Sequence, residues 1–255
     1  MNSRFALRVL FVFIVHLNIS VAAEKEFTPL FNGKNLVGWT VSIRDQGIVK
    51  EQDIFTVTNG MIHAYKNKPN GSSQPFAGLT TNKSFSGHYH FSLEYQWGKT
   101  KHAPRDKAVR DAGILFHVRS PEQIWPNSVE CQIQEGDTGD IWVIGTRVTS
   151  KVQSTVRNYS SHGVLETRGG GKKRFSRFHR GYYWEVPGWN RVDVIVNQDH
   201  AIYKVNGHVV NEAINMQQKE KHNNSWIPLR SGPIMLQAEG AEVFYRDIKI
   251  KQYTE

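Results

Sequence analysis

Glu130, Gln132 and Gln134 lie two residues apart and alternate with Val129, Cys131 and Ile133. In a strand, that period of two puts a carboxyl and two amides on one face and three apolar groups on the other. A carboxyl can exchange a proton with a ligand while neighbouring amides hold its oxygens, so this face reads either as the floor of a polar cleft or as an ordinary solvated sheet face. Other candidates are scattered. His90 and Glu94 share the polar side of the stretch 88–97, opposite Tyr89, Phe91, Leu93, Tyr95 and Trp97. His117 follows the apolar run 113–116, where it either enters the cleft or sits as a buried, hydrogen-bonded histidine. Gln237 and Glu239 share a face near the C-terminus, and Arg246 can stabilise an oxyanion or pair with an acid such as Glu130. Trp189 can stack on a flat ligand or pack in the core.

The elements that must position these groups read as strands. Asn59-Gly60 joins two β-prone runs, 55–58 and 61–65, and Asn206-Gly207 joins 201–205 to 208–210; both are hairpin-turn dipeptides. Further strands are expected at 78–81, 113–119, 141–144, 189–196, 232–240 and 241–250. The stretch 213–221 reads as a short helix or loop. Residues 150–180, polar, basic and aperiodic, read as long loops over one rim with room for a hairpin. Many short strands with turn residues between them predict an all-β fold, an antiparallel β-sandwich of jelly-roll type.

At 255 residues the chain is long enough for one large domain with a full core. Residues 1–23 stand apart: Arg4 and Arg8 precede the apolar run 9–15, and Val21-Ala22-Ala23 offers small residues for cleavage. That is the pattern of a secretory signal peptide, which predicts a soluble exported protein, secreted or periplasmic in a bacterium, with no stable membrane anchor and one domain over 24–255. The formal charge is +9, and removing Arg4 and Arg8 lowers it by two to +7, much of the excess lying at 99–110 and 168–180. Export, and the absence of helix-turn-helix, zinc-finger and RRM signatures, argue against nucleic acid as a partner. The sequence carries no P-loop, dinucleotide fingerprint, HExxH or paired CxxC. Cys131 is the only cysteine, so no intrachain disulfide forms, and on the apolar side of its strand it reads as a small buried hydrophobe.

Taken in order, several short motifs become specific. Leu30-Phe31-Asn32-Gly33-Lys34-Asn35-Leu36-Val37-Gly38-Trp39 is followed by Gly78-Leu79-Thr80-Thr81, Gly113-Ile114, Glu130-Cys131-Gln132-Ile133 and Gly188-Trp189-Asn190. Val205-Asn206-Gly207, Gly232-Pro233-Ile234-Met235-Leu236-Gln237 and Phe244-Tyr245-Arg246-Asp247-Ile248 complete the set. The series resembles the 3-keto-disaccharide (3-keto-glycoside) hydrolase family, long labelled a domain of unknown function, over nearly the whole mature chain. Asp111-Ala112-Gly113-Ile114 stands where that family usually has Asn-Ser-Gly-Ile, and Glu135 where an Asp often follows.

The resemblance implies a concanavalin A-like jelly roll with a sugar site on its concave face, and an oligosaccharide or glycoside substrate already oxidised at C3. The ketone acidifies the hydrogen at C2, so a base can form an enolate that expels the C1 substituent, and water then adds. On this reading Glu130, His117 and Glu94 are the candidate catalytic groups. Gln132, Arg246, Gln237, Glu239, Trp189 and His90 are the candidate substrate contacts, and Gln134 stays outside because the family usually places an apolar residue there. No cofactor is required by the pattern, although carboxylates and histidines so gathered can hold a divalent cation that polarises the ketone. Two other functions fit the same sandwich: a noncatalytic carbohydrate-binding, lectin-like domain, and a conventional two-carboxylate glycoside hydrolase. Oligomeric state is not written in the sequence.

Overall fold

Alternation of apolar and polar residues builds two large antiparallel sheets, whose apolar sides face one another, beside a two-stranded ribbon of Phe85–Ser86 and Ser231–Gly232. The computed structural model describes residues 26–253, so the expected signal peptide lies outside the described residues. Every regular element among them is a strand. The smaller sheet has eight strands in the order Phe175–Phe178, Ile141–Ile144, Ser128–Gln134, Asp111–Phe116, Met235–Ala238, Ala77–Thr81, Trp39–Ile43 and Gly47–Val49. The larger has eleven, with His88–Lys101 at its centre between Asn190–Asn197 and Ala241–Gln252. All the pairings between strands are antiparallel, as the jelly-roll reading requires.

Tyr89, Phe91, Leu93 and Tyr95 of the larger sheet meet Val129, Cys131, Ile133 and Ile114 of the smaller in one core, all fully buried. At roughly 1.5–3 kcal/mol per buried large apolar side chain, this interface is the main favourable term for the fold. Cys131 is a buried free thiol there, as its place in the alternation predicts. Both hairpins form at their Asn-Gly turns. Asn59 (φ 51°) and Gly60 (φ 75°), and Asn206 (φ 49°) and Gly207 (φ 86°), adopt the left-handed backbone that matches strand twist.

Two expectations are corrected. Residues 213–221 do not form a helix or loop; most of them belong to the strand His208–Lys219. Register shifts against both of its neighbours and a left-handed Asn215 (φ 50°) break the period of two that sequence reading needs. The 150–180 region is less loop than expected. Arg147–Val152 and Val164–Gly169 form a hairpin, and Phe175–Phe178 adds an edge strand to the smaller sheet.

Candidate active site

The Ser128–Gln134 strand lies inside the smaller sheet, paired on both sides. With Val129, Cys131 and Ile133 turned into the core, Glu130, Gln132 and Gln134 must face outward, and pairing aligns them with neighbours in three cross-strand rows. Arg177, Trp142, Glu130 and Leu115 form one row. Gln132 lies opposite Gly113, and Gln134 opposite Asp111. Segments 102–110 and 117–127 fold over this face, bringing Arg105 and Trp125. The result is a cavity of about 530 Å³ lined by Arg105, Asp111, Trp125, Glu130, Gln132, Gln134, Trp142, Phe175, Arg177 and Glu239, within the range of roughly 300–1,000 Å³ usual for ligand sites.

Three carboxyls share this space with few countercharges. Asp111 is held by the Arg105 guanidinium and accepts hydrogen bonds from Gln132 Nε2 (2.7 Å) and Gln134 Nε2 (2.9 Å). Glu239 accepts from Trp125 Nε1 at 2.9 Å and from Arg105 at 3.4 Å. Glu130, 4% exposed, accepts no hydrogen bond on its carboxyl and lies beside the apolar pair Leu115 and Met235. Burial, reinforced by Glu239 and Asp111, pushes the Glu130 carboxyl well above the usual range despite Arg105 and Arg177. Burial and the Asp111 charge raise Glu239 to about 8. Burial raises Asp111 less, because Arg105 and its amide donors oppose it.

Gly113 occupies the centre of the floor. A Cβ there would collide with Glu130 Oε1 and Gln237 Oε1, so only glycine lets the two side chains converge. Trp142, Trp125 and the partly exposed Phe175 supply flat apolar walls, and Arg177, close to the Trp142 ring (5.4 Å), is anchored by Asp137 and Asp140. Flat walls with a polar floor suit a sugar ring, whose faces are apolar and whose rim carries hydroxyls.

Of the residues singled out in the sequence, Glu130, Gln132 and Glu239 line the cavity, and Gln237 lies buried beneath it. Gln134 lines it as well, so its exclusion is corrected. Glu94, Arg246, Trp189 and His90 do not join them. They lie on the outer face of the larger sheet, because Tyr89, Phe91, Leu93 and Tyr95 fill the inner one. There Arg246 donates to Glu94 at 2.8 Å and stacks over Trp189 at 3.8 Å, so Glu94 and not Glu130 is its acid partner. His90 is paired with Asp193 at 2.8 Å.

His117 is also displaced from the site. A left-handed backbone (φ 53°) breaks the alternation just past Asp111–Phe116 and turns the ring inward, where it is fully buried and its Nδ1 lies 3.1 Å from the Leu229 carbonyl. Burial lowers its pKa to about 4. The unfolded chain therefore takes up a proton that the folded one refuses, and stability present above about pH 6.5 is lost as pH falls through about 4. This one group is expected to cost about 3 kcal/mol on acidification. His117→Asn, which tolerates the same backbone, should lose less than wild type between pH 7 and 4.5 in urea unfolding; equal losses would assign the acid sensitivity elsewhere.

The sequence reading missed Arg105, Asp111, Trp125, Trp142, Phe175 and Arg177. Asp111 was legible in principle, since Asp111, Gly113 and Leu115 alternate in the strand next to Glu130. Arg105 and Trp125 come from segments without periodicity. Among the described residues no three His, Cys, Asp or Glu side chains form a metal-binding group. The carboxyls of Asp111 and Glu239 are already engaged by Arg105, so the donor set does not fit the divalent cation that the sequence left open.

An antiparallel sandwich carrying an acid-floored, aromatic-walled cavity on one sheet defines a jelly-roll domain with a ligand-sized polar cavity. The chain belongs to the family of 3-keto-alpha-glucoside-1,2-lyase-like domains, whose family model matches residues 26–251. Two solved structures from Parabacteroides distasonis, both described as candidate glycosyl hydrolases, share the fold. One is 19% identical, with 89% of this chain and 94% of that chain covered and a TM-score of 0.51. The other is 17% identical, with 89% and 100% covered and a TM-score of 0.52. At such identities the likeness establishes the sandwich alone. No curated protein matches the sequence.

Proposed function

We propose that this protein is an exported enzyme that cleaves the glycosidic bond of 3-keto-glycosides by elimination across C1 and C2, followed by hydration. The observation that carries this reading is the pair Glu130 and Glu239, two carboxyls raised by burial and by neighbouring acids, on the floor of an aromatic-walled cavity. Membership of a family named for this lyase chemistry supports it.

Elimination needs one group to take a proton from C2 and another to give one to the departing oxygen. Asp111, tied to Arg105 and two amides, serves neither role well; it holds Arg105, which also reaches Glu239. Glu239 takes the C2 proton, and the electron pair moves toward C3 to form an enolate. Arg105 and Arg177 provide positive charge in the same cavity to stabilise that oxygen. Collapse of the enolate breaks the C1–O bond as Glu130 protonates the leaving oxygen. Water then adds at C1 of the enone, and its proton resets Glu130 while Glu239 returns its own to C2. The sum is substrate plus water giving a free 3-keto-sugar and the released alcohol.

Purified protein should consume a 3-keto-disaccharide and leave the unoxidised disaccharide intact, read by chromatography of the products. Absence of turnover across a panel of 3-keto-glycosides would sink the proposal. Saturable binding without product would favour a lectin-like role, and cleavage of an ordinary nitrophenyl glycoside would favour a conventional two-carboxylate hydrolase.

A further inference from the structure

The geometry points to Gln237 as a positioning residue that keeps Glu130 in its acid form: the amide carbonyl of Gln237 accepts the Glu130 carboxyl proton across the bare Cα of Gly113. The inference deepens the reading above and rests on it for its catalytic meaning. Gln237 is fully buried. Its Nε2 donates to the Ile124 carbonyl at 3.0 Å, which fixes the orientation of the amide, because a flipped amide would set its oxygen against that carbonyl. Its Oε1 is therefore committed to the site side, and it is buried without a hydrogen-bond partner.

Glu130 Oε1 reaches the same point, since a side chain on Gly113 would strike both oxygens. Two acceptors brought together repel unless one carries a proton, and the buried Gln237 Oε1 has no other donor to turn to. The Gln237 amide presents its oxygen and not its NH2 to that point, so the proton between them belongs to Glu130. The groups facing Glu130 agree. Burial, Glu239 and Asp111 disfavour its ionisation, and Arg105 and Arg177, each engaged with other carboxylates, oppose them. Catalytically, Glu130 rests as a proton donor. Its O–H bond breaks as the C1–O bond breaks, the proton goes to the departing oxygen, and the carboxylate is reprotonated from the added water.

Infrared difference spectroscopy of the whole protein tests this without substrate. Protonated-carboxyl carbonyl bands of both Glu130 and Glu239 are expected at neutral pH; the one lost in Glu130→Gln and kept in Glu239→Gln belongs to Glu130. In Gln237→Asn and Gln237→Met that band should move to higher frequency, as an acid deprived of its acceptor does. In Gln237→Asn the proton affinity should fall roughly tenfold, read as a lower pH at which the band disappears. A wild-type protein without the band near neutrality overturns the inference, and so does a band unmoved in both variants. With a 3-keto-glycoside, the alkaline limb of the pH–rate profile should shift down in Gln237→Asn in parallel. If no such substrate turns over while the band behaves as expected, the proton pair stands and its catalytic meaning falls.

Discussion

Glu130→Gln is expected to lower the turnover of a 3-keto-glycoside by about 10²–10⁴-fold, with a much smaller change in KM. The amide keeps the shape of the side chain and offers an N–H toward the unpartnered Gln237 Oε1, so the floor of the cavity survives while the transferable proton is gone. For the same reason the variant should be no less stable than wild type at pH 8, where holding a buried carboxyl neutral is hardest. The pH profile of the wild-type rate makes the complementary point. Glu239 must be ionised to act as base, so its titration near pH 8 sets the rising limb, and loss of the Glu130 proton sets the falling one. As the two carboxyls interact, the limbs report the pair and not either residue alone. A Glu130→Gln enzyme retaining a large share of wild-type turnover would remove Glu130 from the chemistry.

Arg105→Met should show the largest loss of stability of any single change at the site. One guanidinium bridges Asp111 and Glu239, and both carboxyls are almost completely buried. Removing one partner from a buried charged cluster costs roughly 3–5 kcal/mol, and the loss should depend on pH in a definite direction. Without Arg105 the folded protein holds both acids neutral to a still higher pH, whereas the unfolded chain releases those protons near pH 4. Stability therefore drains away as pH rises, and the variant should be much closer to wild type at pH 5 than at pH 8. Chemical unfolding at the two pH values measures this. An equal deficit at both would mean that Arg105 acts through packing, not charge.

The fold was legible because its signals are local. Alternation in 88–97 and 128–134 and the two Asn-Gly turns each fix a strand or a hairpin without reference to the rest of the chain. Strand His208–Lys219 escaped because its bulges and left-handed Asn215 disturb the period on which such reading depends. The site was legible only in part, for a related reason. Alternation separates two faces of a strand but does not say which sheet the strand joins. Glu94 and Glu130 thus look alike in sequence, yet one faces outward from the larger sheet and the other lines the cavity. His117 illustrates the limit within one strand, since a single positive φ reverses the face that counting assigns. Arg105 and Trp125 reach the cavity from aperiodic segments, and only the tertiary fold places them there.

The cross-strand rows that carry Glu130, Gln132 and Asp111 have a mechanical consequence. Their backbones are locked into ladders on both sides, whereas Arg105 and Trp125 ride on segments held by turn hydrogen bonds, such as Arg105 N to His102 O, and by single bonds to the scaffold, such as Gln237 Nε2 to the Ile124 carbonyl. The acids are thus mounted on a chassis whose amides should exchange with solvent only on near-global unfolding, and the cation and the indole hang from a canopy whose amides should exchange sooner. Displacing either segment would take a donor away from Glu239, the indole of Trp125 or the guanidinium of Arg105, tying the basicity of the site to how the canopy sits.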